Sequence, residues 1–243
     1  MKGVGILDYS MATIVLALGG SLLRPEVEDR HSWIESLVGI IRDRVTADDR
    51  IGIVVGGGSP ARDGIELSRP IIHNEGRLDK IGIAATRLNA TIIREALAES
   101  GIMVSGSIPH SINEASMLFD ERPVVVMGGT VPGHTTDAVA IRLAITTQAD
   151  RCIIATNVER VYDSDPRTNP DAKSFDRLTH KQLQNIVGPA EHGSAGPSGV
   201  VDPMGVADAA KENLTLNVID GRNLEIIKAA IIGDSFPGTV IES

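Results

Sequence analysis

Short runs of β-branched and aliphatic residues alternate along the chain with longer stretches whose apolar positions recur every three or four residues. The short runs predict buried strands over residues 13–18, 51–55, 102–104, 124–127, 152–155 and 214–219. The longer stretches predict helices over 28–45, 78–100, 137–147 and 223–232. Another helix is expected to start at Ser59-Pro60, with Ser59 as N-cap and Pro60 at the first helical position. A further one over 205–212 is opened by Asp202-Pro203. Alternation of this kind builds an α/β protein around a mostly parallel sheet. Residues 1–12 read as an extension and 13–243 as the domain. Within it, two halves (13–150 and 151–243) share one continuous sheet, with a boundary near residue 150. The region 158–199 is rich in turn signals (Asp165-Pro166, Asn169-Pro170, Gly188-Pro189), and 193–199 reads as a mobile loop.

Composition narrows the function classes. A net charge of −9 argues against nonspecific nucleic-acid binding. Aromatic residues at 2% leave little for stacking platforms. Cys152 is the single cysteine, which excludes an intrachain disulfide and any cysteine-based metal cage, and its apolar neighbours predict a buried, inert thiol. No segment approaches the ~18–20 apolar residues of a membrane span, and Asp8 interrupts any signal-peptide-like run, so a cytoplasmic protein is expected.

Candidate chemistry sits where strands end in glycines: Gly19-Gly20-Ser21, Gly56-Gly57-Gly58-Ser59 and Gly128-Gly129-Thr130. Glycines admit close approach to a ligand, and a following helix offers free N–H groups and a positive dipole end. The third loop continues through Val131-Pro132-Gly133-His134 into Thr135 and Thr136, either of which can cap the next helix. Arg62 is expected within the first turn after the second loop, a poor place for helix stability and a sensible one for an anionic ligand. Asp79 is expected to open its helix, where an acid favours the dipole or binds ribose hydroxyls. The polar stretch from Thr156 and Asn157 through Tyr162 to Asp165 and Pro166 follows a strand, as ligand loops of open α/β sheets do. The chain lacks a Gly-Lys-Ser/Thr phosphate loop, a G-x-G-x-x-G after the first strand, and a G-x-S-x-G elbow. His134 has no second His or Cys at ligand spacing, so zinc is not expected.

These blocks, with Thr86-Arg87-Leu88-Asn89-Ala90, Val201-Asp202-Pro203 and the closing Gly238-Thr239-Val240-Ile241, resemble the amino acid kinase superfamily, and within it the archaeal-type uridylate kinases. The resemblance runs from about Thr13 to the C-terminus. It implies a three-layer αβα sandwich, a hexamer arranged as a trimer of dimers, and Mg²⁺-dependent transfer of the ATP γ-phosphoryl group to UMP in pyrimidine biosynthesis. Carried over by position, Gly57, Gly58 and Arg62 hold the UMP phosphate and Asp79 its ribose, with Gly129, Thr130, Thr135 and Thr136 lining the acceptor. Gly19, Gly20, Ser21, Thr156, Asn157, Tyr162, Asp165 and Pro166 line the ATP side. Arg62 and Thr130 are the expected catalytic groups, and no protein ligand is assigned to the metal. Isopentenyl phosphate kinases place a histidine after the second glycine loop, where this chain has Ser59-Pro60-Ala61-Arg62.

Two positions depart from the family pattern. Ala17 and Ala207 stand where family members usually carry lysines. Lys211, four residues beyond Ala207 on the same helical face, is the expected substitute cation and a third catalytic candidate. Arg160 is a second spare cation. The alternative function is a catalytically weakened nucleotide-binding or oxyanion-storage protein on the same fold.

Overall fold

The computed structural model describes residues 11–23, 29–190 and 200–243. The 193–199 loop, and all but the last two residues of the 1–12 extension, lie outside the described residues. The first half carries β1 (Thr13–Leu18), α1 (Arg30–Thr46), β2 (Arg50–Val55), α2 (Gly58–Ser68), α3 (Glu75–Glu99), α4 (Ile112–Phe119), β3 (Val124–Met127) and α5 (Thr136–Thr146). The second half begins with β4 (Arg151–Thr156), β5 (Val161–Tyr162), β6 (Ser174–Phe175), β7 (Arg177–Thr179) and α6 (His180–Val187). It closes with α7 (Pro203–Lys211), β8 (Leu216–Asp220), α8 (Leu224–Ile232) and β9 (Gly238–Glu242).

Seven strands form one sheet in the order β3-β2-β1-β4-β8-β9-β7, and β5 and β6 make a separate hairpin. The pairs β1–β2, β1–β4, β2–β3 and β4–β8 are parallel, whereas β9 runs antiparallel to β8. Both faces are covered. Ile14, Leu16 and Leu18 of β1 pack with Trp33 and Leu37 of α1, Ile93 of α3 and Ile227 of α8. Val15 and Ala17, on the other face, join Val139 and Leu143 of α5 and Val206 of α7. Burial on both faces explains why the strands read as continuous apolar runs, and the result is an αβα sandwich.

From β1 the chain builds outward to β2 and β3, then returns to the other side of β1 with β4 and β8. The order therefore reverses between β1 and β4, a topological switch point of the kind that opens a crevice at the strands' C-terminal ends.

Several expectations are corrected. Residues 102–104 form no strand; Ile102 N–H is held by Leu97 O at the end of α3, leaving only a bridge from Val104 to Val124. Helix α3 starts at Glu75, capped by Asn74 accepting from Arg77 N–H, so Asp79 is its fifth residue and does not open it. Ser59 does not cap α2, which begins at Gly58 with Gly57 in the cap position and no side-chain cap. Helix α7 starts at Pro203, where Asp202 accepts from Gly205 N–H. The region 158–199 is more structured than its turn signals suggest: it holds β5, β6, β7 and α6, the last with a Thr179–Gln182 capping box. Strands of two or three residues are too short to leave a periodic signature.

Candidate active site

Because β1 to β4 and β8 are parallel, their C-terminal ends share one edge, and the glycine loops meet there. The first two interlock through backbone. A Cβ on Gly20 would lie 2.1 Å from Gly58 N, and one on Gly58 would lie 2.4 Å from Gly20 O. Gly58 also has φ +59°, so it requires glycine on both counts. The N–H groups of Gly57 and Gly58 donate no hydrogen bond to the described residues. Helix α2 runs on from them with its positive dipole end at the same loop.

Helix α3 braces these loops from one side. Asn89 is fully buried, and its Nδ2 donates to Gly56 O at 2.8 Å and Gly57 O at 3.0 Å. Its Oδ1 is buried without a partner among the described residues, a state that costs about 1–3 kcal/mol. Thr86 Oγ1 donates to Ile83 O and accepts from Gly129 N–H, both at 2.7 Å. One helical pair of turns earlier, Asp79 Oδ2 accepts from Gly133 N–H at 2.7 Å.

The third loop enters α5 through Thr135, which caps the helix by accepting from Ala138 N–H and donates its own proton to Asp202 Oδ2 at 2.8 Å. Thr130 and Thr136 flank this run, half-buried. His134 lies against Arg142 Nη1, 2.9 Å from its Nε2, and Arg142 Nε donates to Asp208 Oδ2 at 2.7 Å. Two links thus bind the loop to α7.

Asp137, in the first turn of α5, accepts no hydrogen bond from the described residues. Burial, and then the nearby charge of Asp202, push its pKa up to about 7. The two positions at which lysines were expected carry no charge: Ala17 is buried, and Ala207 is half-buried on α7. Cys152 is fully buried, and burial followed by the charge of Asp137 pushes its thiol well above the usual range, as an inert thiol requires.

Apart from the first glycine loop, the residues expected on the ATP side lie at the end of β4, after it and on β5. Thr156 ends β4, its carbonyl accepting from Gly221 N–H at 2.8 Å, and Asn157 follows half-buried. Tyr162 lies on β5, whose Val161 N–H is held by the fully buried Thr239 at 2.9 Å. Asp165 and Pro166 are exposed, and the Arg167 guanidinium holds the Asp165 carboxyl below the usual carboxylate range.

Three positional calls change. Arg62 is exposed and makes no ion pair with the described residues, but it is the fifth residue of α2, a full turn from the helix start. Lys211 ends α7, eight residues beyond Pro203 and roughly 12 Å along the axis, next to the turn that leads to the start of β8. It therefore faces the opposite edge of the sheet. A one-turn step along a helical face preserves direction but adds axial rise, and here that rise leads away from the glycine loops. Arg160 is not spare, since it pairs with Asp176 at 3.0 Å.

Residues 12–216 match the amino acid kinase family. The chain belongs to that family. It is 40% identical over 228 residues to a uridylate kinase from Methanococcus aeolicus, covering 94% of this chain and 98% of the relative. A uridylate kinase from Methanocaldococcus jannaschii is 38% identical over 231 residues, covering 94% and 99%. The crystal structure of a uridylate kinase from Archaeoglobus fulgidus superposes with a TM-score of 0.80 at 38% identity, covering 95% of this chain and all of that one. A UMP kinase from Bacillus anthracis shares the fold, with a TM-score of 0.77 at 21% identity over 95% of this chain and 96% of that one.

Within this amino acid kinase fold, the brace of Thr86 and Asn89 escaped the sequence reading. Those residues stood out only as part of a family-like block, since their partners lie 32 to 43 residues away.

Proposed function

We propose that the protein transfers the γ-phosphoryl group of ATP to UMP, giving UDP and ADP. The observation that carries this reading is the pair of unengaged N–H groups at Gly57 and Gly58, interlocked with the first glycine loop at the switch point. A phosphate oxygen of UMP attacks the γ-phosphorus, the bond to the β–γ bridging oxygen breaks, and ADP departs. Such a transfer needs alignment and charge neutralisation more than covalent help. Gly57, Gly58 and Arg62 bind the UMP phosphate. Asp79 positions the ribose with the oxygen that Gly133 leaves free. Gly129, Thr130, Thr135 and Thr136 line the crossing point. Gly19, Gly20 and Ser21, with Thr156, Asn157, Tyr162, Asp165 and Pro166, receive ATP.

Bound magnesium would neutralise charge across the β- and γ-phosphates. It needs only one or two carboxylates beside the phosphate oxygens, which suits Asp137 and Asp202. Apart from the first glycine loop, the residues up to 150 serve the acceptor and those beyond it the donor. The protein acts in the cytoplasm, in pyrimidine nucleotide synthesis, and no described helix is long and apolar enough to cross a membrane. A homo-oligomer, a hexamer in the family pattern, is supported by Leu88 and Ile92, exposed one turn apart on the outer face of α3.

One observation favours the second reading, a weakened nucleotide-binding protein: Ala17 and Ala207 carry no cation where the family pattern has lysines. Removing one electrostatic donor costs about 10²–10³ in kcat. The deciding experiment is ADP release from ATP on adding UMP, CMP, isopentenyl phosphate or acetylglutamate. UMP-dependent release above the other acceptors is expected. ATP or UTP binding without UMP-dependent release would overturn the kinase reading in favour of the second.

A further inference from the structure

Peptide planarity gives the Asn89 contacts a directional meaning. Where the carbonyls of Gly56 and Gly57 point at the Asn89 amide, the N–H groups of Gly57 and Gly58 in the same two peptide units point the opposite way. Those are the two unengaged donors of the second loop. Thr86 does the matching job on the third loop. Its hydroxyl proton is committed to Ile83 O, so its oxygen has one role left, accepting from Gly129 N–H. Residues 86 and 89 are three apart and share a helical face, so both loops are fixed to one rigid element.

We infer that Thr86 and Asn89 are positioning residues, which aim the donors of the second loop and set the separation of the second and third loops around the acceptor phosphate. The inference rests on the reading of this edge as the UMP site. Neither side chain need touch the nucleotide. Without them the loops sample other arrangements, and acceptor binding is weakened by the fraction of time the competent one is lost. Of the residues proposed to receive ATP, those after β4 and on β5 accept no hydrogen bond from Thr86 or Asn89, and the first glycine loop is held to the second by backbone contact and not by these side chains, so the affinity for ATP changes little.

Three variants test this. Thr86→Val keeps the shape and removes the hydroxyl, Thr86→Ser keeps the hydroxyl, and Asn89→Leu is near-isosteric and also removes the unpaired Oδ1. Thr86→Val and Asn89→Leu are expected to raise KM for UMP about tenfold or more, with KM for ATP within about twofold, while Thr86→Ser stays near the parent. Amide exchange of residues 128–133 should quicken about tenfold or more in Thr86→Val and not in Thr86→Ser. Parallel rises in both KM values, equal damage from Val and Ser, or parent-like KM for UMP in Thr86→Val and Asn89→Leu would overturn the inference. So would unchanged exchange in Thr86→Val. The exchange measurement needs no turnover, so it still decides the matter if the parent fails to phosphorylate UMP, an outcome that would sink the functional reading alone.

Discussion

The two sides of the catalytic edge are held by different physics. On the side proposed to bind the acceptor, Asn89, Thr86 and Asp79 tie the second and third loops through buried or half-buried hydrogen bonds to main chain, and the second loop meets the first backbone to backbone. On the side proposed to receive ATP, Thr239 anchors the β5–β6 hairpin by accepting from Val161 N–H and donating to Phe175 O, while the loops around it carry surface pairs, Arg160 with Asp176 and Arg167 with Asp165. Exposed pairs contribute about 0–1 kcal/mol each. Losing a partner of a buried polar group costs about 1–3 kcal/mol. The loops proposed to bind the acceptor are therefore held by buried hydrogen bonds, whereas the turn that carries Asp165 and Arg167 is held by an exposed pair.

The largest effect expected from this contrast is at Gly20. Gly20→Ala pushes a methyl against Gly58 N, where only backbone can yield, and should destabilise the fold by at least about 3 kcal/mol. Thermal unfolding of the variant measures it, and a melting temperature equal to the parent's would mean the loops are not interlocked.

A middle-sized effect concerns Asp137. Its pKa is about 7 in the folded chain against 3.8 in the unfolded reference. Between those values the unfolded chain ionises while the folded one keeps its proton. Stability from this group is thus intact below pH 3.8, falls as pH rises to about 7, and is flat beyond. Asp137→Asn abolishes that slope. Relative to the parent it should gain on the order of 1–3 kcal/mol at pH 8 and little at pH 4. Melting curves at the two pH values compare them, and an equal difference at both would contradict the assignment.

The smallest effect belongs to the exposed turn after β5. Arg167→Ala removes an exposed pair and should change stability by less than about 0.5 kcal/mol in chemical denaturation. A loss above 2 kcal/mol would erase the contrast between the two sides.

Much of this was legible in the sequence for identifiable reasons. Strands buried on both faces leave unbroken β-branched runs, and glycines at their ends mark the loops. Thr135 and Thr136 both read as caps, and the structure uses Thr135. Less legible was anything set by distance across the fold. Thr86 and Asn89 look like ordinary helix residues until the sheet brings Gly129 and Gly56 against them. Lys211 was misjudged because sequence spacing conveys the face of a helix but not which edge its end approaches. The hairpin of β5 and β6 is too short for any periodicity to announce it.

The backbone contact between Gly20 and Gly58 also limits how such an enzyme can be altered. Neither loop can be lengthened, given a side chain or exchanged for a relative's version while the other stays as it is. Grafting a new acceptor specificity onto this scaffold means moving residues 19–21 and 56–58 together as one cassette, with the helix face that carries Asn89. Retuning of the residues after β4 that are proposed to receive ATP can proceed one residue at a time.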